Sequence, residues 1–349
     1  MSNFSNILSS FVDKIKLNFQ TFKPYKKILS SKIFNLDLII LKDGKLLIIS
    51  SDSKVMIYNN EYNLLSQFTV GEKLNNNISN GTLVELENED LIICYDNSFE
   101  IRKKENNNYS LIKRNQYNWP KWSHFNIIAK KLKISRFIIS IHMAHSFQVF
   151  GKDKNNDYNC IYMINFFVCH IFNISVINEN QILAVDGFDR IHIFNHNFNN
   201  ANNLSVKKNR SFDESVKVNI YDFNIERICI IKGIKDSRYG QKFLNKNHIY
   251  FGVNKFLYII NAKNLKIKCY NIGYDVDSII FLPNEKFLIG IKKMIIEFEY
   301  NNNQYNKIKK CSEKVSNCNE SYIKLIEGKN DNIISCSDTK ILFFNKKDL

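Results

Sequence analysis

Proline is almost absent from this chain, glycine is sparse and tryptophan is rare: 3 Pro, 11 Gly and 2 Trp in 349 residues. No stretch rich in Pro or Gly marks a linker, which argues for one continuous domain rather than two tethered ones. No Cys-x-x-Cys or Cys-x-x-x-Cys pair occurs among Cys94, Cys160, Cys169, Cys229, Cys269, Cys311, Cys318 and Cys336, so zinc-ribbon spacing is excluded. Most of these thiols sit in apolar runs, where a free Cys behaves as a small hydrophobe. A reducing compartment suits them, and the cytoplasm, with the nucleus as second choice, is the expected location. A secretory h-region is missing too, because Asp13, Lys14 and Lys16 interrupt the apolar residues at the N-terminus. Without such a signal the triplets at Asn80, Asn108 and Asn173 carry no weight as glycosylation sites. The longest uncharged stretch, 160–177, is punctuated by Asn165, His170, Asn173 and Ser175, so it reads as two buried strands rather than a transmembrane span.

What is present is apolar and basic. Hydrophobic residues reach 44% and aromatics 13%, enough for a substantial core. The formal charge is +15, from 49 Lys and Arg against 34 Asp and Glu. That surplus favours acidic partners such as nucleic acid, anionic membrane or an acidic protein face. Lys, Asn and Ile are heavily used everywhere, so compositional drift explains the surplus without a dedicated polyanion site.

Two periodicities divide the chain. Over residues 2 to about 20, Phe4, Ile7, Leu8, Phe11, Ile15 and Phe19 fall at helical spacing, with Ser2 or Asn3 as cap, which predicts an amphipathic helical extension over 1–22. It either packs on the domain or docks a partner or membrane surface. From Tyr25 the period is two. Turn residues Asp52, Asp96, Asp189 and Asp338 occupy matching places; Asp52 and Asp96 are 44 residues apart. Ala144, Asn254 and Lys293 fill the remaining turns, with an insertion before Asn254, and periods in this range belong to four-stranded propeller blades. The innermost strands are expected at 35–41, 82–86, 126–132, 174–177, 224–231, 278–282 and 322–326. The last blade, 320–349, has three strands, and 25–31 supplies its fourth, closing the ring over 23–349. The predicted fold is all-β: one seven-bladed β-propeller (within a range of six to eight) with a short N-terminal helix.

The repeat resembles the WD40 β-propeller family in degenerate form. Its carriers are Asp43-Gly44, Ser51-Asp52 and Tyr58-Asn59; Asp186-Gly187-Phe188-Asp189 with Phe194-Asn195; Ser337-Asp338 with Phe344-Asn345; and 281–285 with Gly290. The family's Trp-Asp pair is replaced by Tyr58-Asn59, Phe344-Asn345, Ile260-Asn261 or Arg102-Lys103, and its Gly-His pair is missing. The turn Asp can still accept backbone N–H groups. The resemblance implies that outer-to-inner loops lie on a partner-receiving face. Such a loop holds Arg114, Tyr117, Trp119, Lys121 and Trp122, residue types that dominate interface hot spots, although the tryptophans could equally pack over neighbouring blades. The expected blade 5 insertion, 234–247, carries Lys235, Arg238, Lys242 and Lys246 with Tyr239 and Phe243, a mixture that meets phosphates or simply forms a solvated loop. Family topology would place it on the face opposite the Trp loop.

Catalysis is not expected. Asp37, Glu85, Lys130, Glu226, Asp277 and Lys324 would line a wet central channel without forming an acid–base constellation. His142 and His145 stand at a strand turn with no third ligand, and Cys311 and Cys318 read as ordinary thiols. No metal, cofactor or catalytic residue is assigned. The favoured function is a non-enzymatic scaffold for protein partners, monomeric or within a hetero-complex. The alternative is a polyanion binder, with RNA ahead of phosphoinositide because no Arg-Arg dipeptide exists. On a heparin column the protein is expected to elute near physiological salt; retention well above it would establish a polyanion site.

Overall fold

The computed structural model describes residues 20–29, 35–71, 78, 81–96, 98–116, 127–132, 136–141, 146–152, 155, 157–165, 171–178, 181–186, 188–195, 225–230, 241–245, 248–253, 255–261, 264, 266–274, 276–282, 284, 286–291, 294–302, 304–311, 324–329, 331–337 and 340–349. These form seven antiparallel sheets, with the only parallel pairing at an added edge strand. Second strands such as Leu46–Ser50 and Leu91–Tyr95 are buried throughout, which is why they read as unbroken apolar runs rather than alternating ones.

From inside outward, blade 1 is Asn35–Ile40, Leu46–Ser50, Lys54–Tyr58 and Leu64–Thr69. Blade 2 is Gly81–Glu85, Leu91–Tyr95, Ser98–Glu105 and Asn108–Gln116, and blade 3 is Ile127–Lys131, Phe137–Ile141, Ser146–Lys152 and Tyr158–Asn165. Blade 4 comprises Ile171–Asn178, Gln181–Asp186, Arg190–Asn195 and Ile225–Ile230; blade 5 comprises Gln241–Asn245, His248–Val253, Phe256–Asn261 and Ile267–Asn271. Blade 6 is Ser278–Phe281, Lys286–Ile291, Met294–Asn301 and Gln304–Cys311. Blade 7 runs Lys324–Glu327, Asn332–Cys336 and Lys340–Asn345, and its outer strand is Lys26–Leu29. Innermost strands touch between blades 1 and 2, 2 and 3, 3 and 4, 5 and 6, 6 and 7, and 7 and 1. This is a seven-bladed propeller closed by pairing its two ends, Lys26 opposite Phe343 through Leu29 opposite Lys340.

The core lies between blades. Blades 2 and 3 share Phe99, Phe137, Phe150 and Tyr158, with Phe137 and Phe150 stacked at 5.2 Å and Phe99 edge-on to both. Blades 7 and 1 share Leu38, Ile48, Tyr58, Tyr62, Ile334 and Phe343. The tight turns use left-handed residues: Gly44, Glu89, Asn284 and Asp331 between first and second strands, and Ser53, Asp96 and Asp189 between second and third. Asp, Asn and Gly tolerate positive φ best, hence their recurrence. At Gly44 a Cβ would also stand 2.5 Å from Lys329 Cδ.

Two expectations are corrected. The N-terminal helix finds no support: residues 1–19 lie outside the described residues, and Gln20–Phe22 is a strand, parallel to Lys309–Cys311 at the edge of blade 6. The period of two therefore begins before Tyr25, with Phe22 buried and Thr21 exposed. Second, Ile225–Ile230 is not the inner strand of blade 5. It pairs with Arg190–Asn195 as the outer strand of blade 4, and the inner strand of blade 5 is Gln241–Asn245, inside the segment expected to be an insertion. The extra length thus falls at 196–224, between the third and fourth strands of blade 4. A short apolar strand looks alike in sequence whether innermost or outermost, so nothing local distinguished the two.

Phe343→Ala, which removes a fully buried ring 4.1 Å from Tyr62, is expected to cost about 3–5 kcal/mol in urea unfolding. Phe22→Ala should cost less. Its three-residue strand can detach locally, and the free energy of that detachment caps the loss.

Candidate functional site

Strand direction divides the ring into two faces. One carries the connections between blades and the turns between second and third strands. The other carries the remaining turns. The loop after Asn108–Gln116, which contains Trp119 and Trp122, leaves from the first face. Residues 231–240, between the outer strand of blade 4 and the inner strand of blade 5, hold Lys235, Arg238 and Tyr239 of the basic segment and lie outside the described residues. Tyr117, Trp119, Lys121, Trp122, Asp338, His142, His145, Lys235, Arg238 and Tyr239 lie outside the described residues.

Of the described hot-spot candidates, Arg114 is already engaged within the protein. Its Nε and Nη2 donate to Glu100 Oε1 at 3.0 and 2.8 Å, and Nη2 also donates to the Gly71 carbonyl at 3.0 Å. Glu100 is 0% exposed and further accepts Gly71 N–H at 2.9 Å, Tyr95 Oη–H at 2.9 Å and Arg102 Nε–H at 2.8 Å. Arg102 in turn donates to the Thr69 and Tyr109 carbonyls and lies over Phe68. Burial pushes the Glu100 carboxyl up, but the Gly71 amide and the two guanidiniums outweigh it, and the group titrates below its ordinary value. The network fastens the exit from blade 1 to blade 2 and holds the base of the Trp-bearing connection.

Glu297 of blade 6 is its opposite. It is also 0% exposed, yet Lys286 Nζ at 3.1 Å from Oε1 and Lys309 Nζ at 3.8 Å from Oε2 are poorly aligned, and neither oxygen receives a well-formed hydrogen bond among the described residues. Burial dominates here, and the carboxyl is raised despite the two lysines.

The channel charges do not form one cluster. Asp37 accepts Leu38 N–H at 2.9 Å, Thr82 Oγ1–H at 3.0 Å, Leu83 N–H at 2.9 Å and Lys324 Nζ, linking blades 1, 2 and 7. Glu85 accepts Lys42 N–H at 2.7 Å. Glu226 falls on the outer strand of blade 4, not the channel, a correction that follows from the reassigned strand. Asp277 precedes the inner strand of blade 6 and is buried. No group of three or more His, Cys, Asp or Glu among the described residues could hold a metal ion.

The turn residues behave differently from one another. Asp52 accepts Ser50 Oγ–H at 2.5 Å and pairs with Lys54 at 2.7 Å, while the left-handed residue of that turn is Ser53. Asp96 and Asp189 are themselves left-handed. In blade 4 the hub is Asp186, which the sequence did not single out as an acceptor although it opens Asp-Gly-Phe-Asp. It accepts Phe188 N–H at 2.8 Å, Arg190 N–H at 3.1 Å and Arg190 Nε–H at 2.6 Å, and lies 2.6 Å from His192 Nε2. The buried Asp186–His192 pair is thereby internal to a turn. At its tip Phe188 is 60% exposed, with the Arg190 guanidinium 5.0 Å from its ring. A fixed backbone thus presents a large exposed aromatic ring on the first face.

No family model and no curated protein matches this sequence. Solved structures do. The crystal structure of Chaetomium thermophilum Raptor superposes with a TM-score of 0.61 at 12% identity over 94% of this chain, which spans 29% of the Raptor chain. A chain of the crystal structure of a mitotic checkpoint complex superposes with a TM-score of 0.62 at 10% identity, over 95% of this chain and 94% of that one. With 1233 solved chains matching and identities this low, the likeness shows the fold alone.

Glu100→Gln is expected to destabilise by about 3 kcal/mol at pH 7, because it unbalances a buried, hydrogen-bonded charge. Glu297→Gln is expected to be neutral or stabilising. The signs follow from the pKa directions. Glu100 is depressed, so its contribution is complete above the ordinary glutamate value and fades as pH falls through the folded value. Glu297 is raised, so its penalty sets in as pH rises from the ordinary value towards the folded one. Urea midpoints at pH 7 and pH 4 check both, with the Glu100→Gln deficit narrowing at pH 4.

Proposed function

We propose that the protein is a non-catalytic, WD40-like scaffold that docks protein partners on the face carrying its inter-blade connections, in the cytoplasm. The observation that carries this reading is Phe188: an exposed ring on a turn whose conformation is set by a fully buried carboxylate. Preorganised aromatic anchors give up little entropy on binding and dominate interface energetics. Tyr117, Trp119, Lys121 and Trp122 belong to a connection leaving that face, and in this reading they contact the partner while Arg114 anchors their strand. One matched structure is a complex, which agrees with a scaffold role without identifying a partner.

The test is quantitative affinity capture from cells, comparing wild type with Phe188→Ala and with Trp119→Ala/Trp122→Ala. Phe188→Ala is expected to weaken recovery of specific partners about tenfold or more, as a hot-spot truncation does, and to leave thermal stability unchanged because the ring is exposed. An unchanged partner set in both variants would remove this face from consideration.

A further inference from the structure

Outer strands in this propeller carry a repeated interruption. In blades 1, 2, 3, 4 and 6 the fourth strand skips one residue in its pairing: Leu65, Ile112, Ile161, Glu226 and Ile308. Each skip falls between the fourth and fifth residues of the third strand. A bulge of this kind twists an edge away from further strands. The outer strand of blade 7 has only four residues and is entered through Pro24. Blade 6 shows what an unbulged stretch accepts, because Gln20–Phe22 pairs with Lys309–Cys311, just beyond the skipped Ile308. Blade 5 is the exception. Its outer strand Ile267–Asn271 pairs with the third strand without a break, and no strand lies on its other side among the described residues.

The free edge has a defined chemistry. Asn261 N–H donates to the Lys266 carbonyl at 3.0 Å and Ile272 N–H to the Lys255 carbonyl at 2.9 Å, so even-numbered residues from 266 to 272 bond inward. The amides and carbonyls of Ile267, Cys269 and Asn271 therefore point outward. Tyr270 packs edge-on against Tyr300 and Tyr305 of blade 6, at 5.9 and 5.1 Å, which puts Lys268 on that side and Ile267 and Cys269 on the other. Ile267 is exposed, as is Phe256 on the adjoining strand. Lys266 and Lys268 are exposed and join no ion pair among the described residues. The hairpin 255–274 holds four lysines and no acidic residue.

We propose that the outer edge of blade 5 takes up an extended segment of a partner protein as a fifth strand, and that this segment alternates acidic with apolar residues. Its acidic side chains meet Lys266 and Lys268, its apolar ones cover Ile267 and Phe256, and its backbone pairs with the outward amides. A second copy of this chain fits poorly, because pairing two such hairpins sets lysines together without a counter-charge. The edge is separate from Phe188, so either conclusion can stand or fall alone.

Fluorescence anisotropy with labelled peptides at near-physiological salt tests this. The probe is a Glu-Val repeat peptide, compared with Glu-Pro and Lys-Val repeats of the same length. Glu-Val is expected to bind wild type about tenfold more tightly than either, and to slow amide exchange across 266–271. Cys269→Pro removes the central outward amide and cuts no bond to the neighbouring strand. It should unfold cooperatively and lose about tenfold in affinity for Glu-Val. Lys266→Glu/Lys268→Glu, which leaves the backbone intact, should shift the preference to Lys-Val. Binding of Glu-Val that is absent, or no tighter than that of Glu-Pro, would reduce the effect to surface charge and overturn the proposal. Unchanged exchange across 266–271 would do the same, as would self-association abolished by Cys269→Pro, which would give the edge to a second copy.

Discussion

Everything in this molecule depends on four backbone pairings between Lys26–Leu29 and the strand Lys340–Asn345. Among the described residues the apolar clusters join neighbouring blades in pairs: 1 with 2, 2 with 3, 5 with 6, 6 with 7 and 7 with 1. An open ring would expose the cluster joining blades 7 and 1, which contains Leu38, Tyr62, Ile334 and Phe343 from residues nearly a chain length apart. The closing strand is flanked by a second device. Phe22 enters the cluster between blades 6 and 7, edge-on to Phe344 at 5.5 Å, and Gln20–Phe22 covers the outer edge of blade 6. An uncovered edge strand offers unpaired amides to other chains, so the same few residues both reinforce the ring and block strand addition there.

Apolar clusters set which blades touch; buried polar groups set their register. Asp37 reaches three blades, and Glu100 joins the exit of blade 1 to blade 2. Asp90 of blade 2 accepts Tyr158 Oη–H from blade 3 at 2.8 Å. Ser278 Oγ accepts Leu325 N–H across blades 6 and 7. A shift by one residue would strand a carboxylate without donors, at a cost of several kcal/mol, whereas an apolar seam slips more cheaply. Glu297 shows what incomplete satisfaction looks like in the same fold.

The sequence carried the architecture well. Apolar runs bounded by Asp, Asn and Gly turns placed six of the seven inner strands, and the short last blade pointed to its missing partner at the other end of the chain. Signals failed where they were degenerate. Ile225–Ile230 has the same pattern as an inner strand, so the 196–224 insertion was put on the wrong side of it. Phe22 belongs to a strand too short to show a period. Arg114 looked like a hot-spot residue, but its chemistry depends on Glu100, brought opposite it by a hairpin register that contains a bulge between Leu111 and Lys113. Asp186 was overlooked because a turn acceptor is defined by which amides point at it, and that is a property of backbone geometry.

The two faces differ in how their polar groups are employed, and this bears on which can receive a partner. On the face of first-to-second and third-to-fourth turns, neighbouring blades are tied together. Lys42 donates to Glu85 and Glu87, Lys104 pairs with Asp43 and Glu89, Lys45 donates to Asn107, and Lys26 donates to the Glu61 carbonyl. Each exposed link is worth little singly, but a partner would have to break several to use those groups, and the surface gains nothing from being displaced. Phe188 asks for no such exchange. Its backbone N–H is already taken by Asp186, so covering the ring removes apolar surface from water without stranding that donor. Covering that ring therefore costs the propeller little ordering, because its turn is already fixed by Asp186.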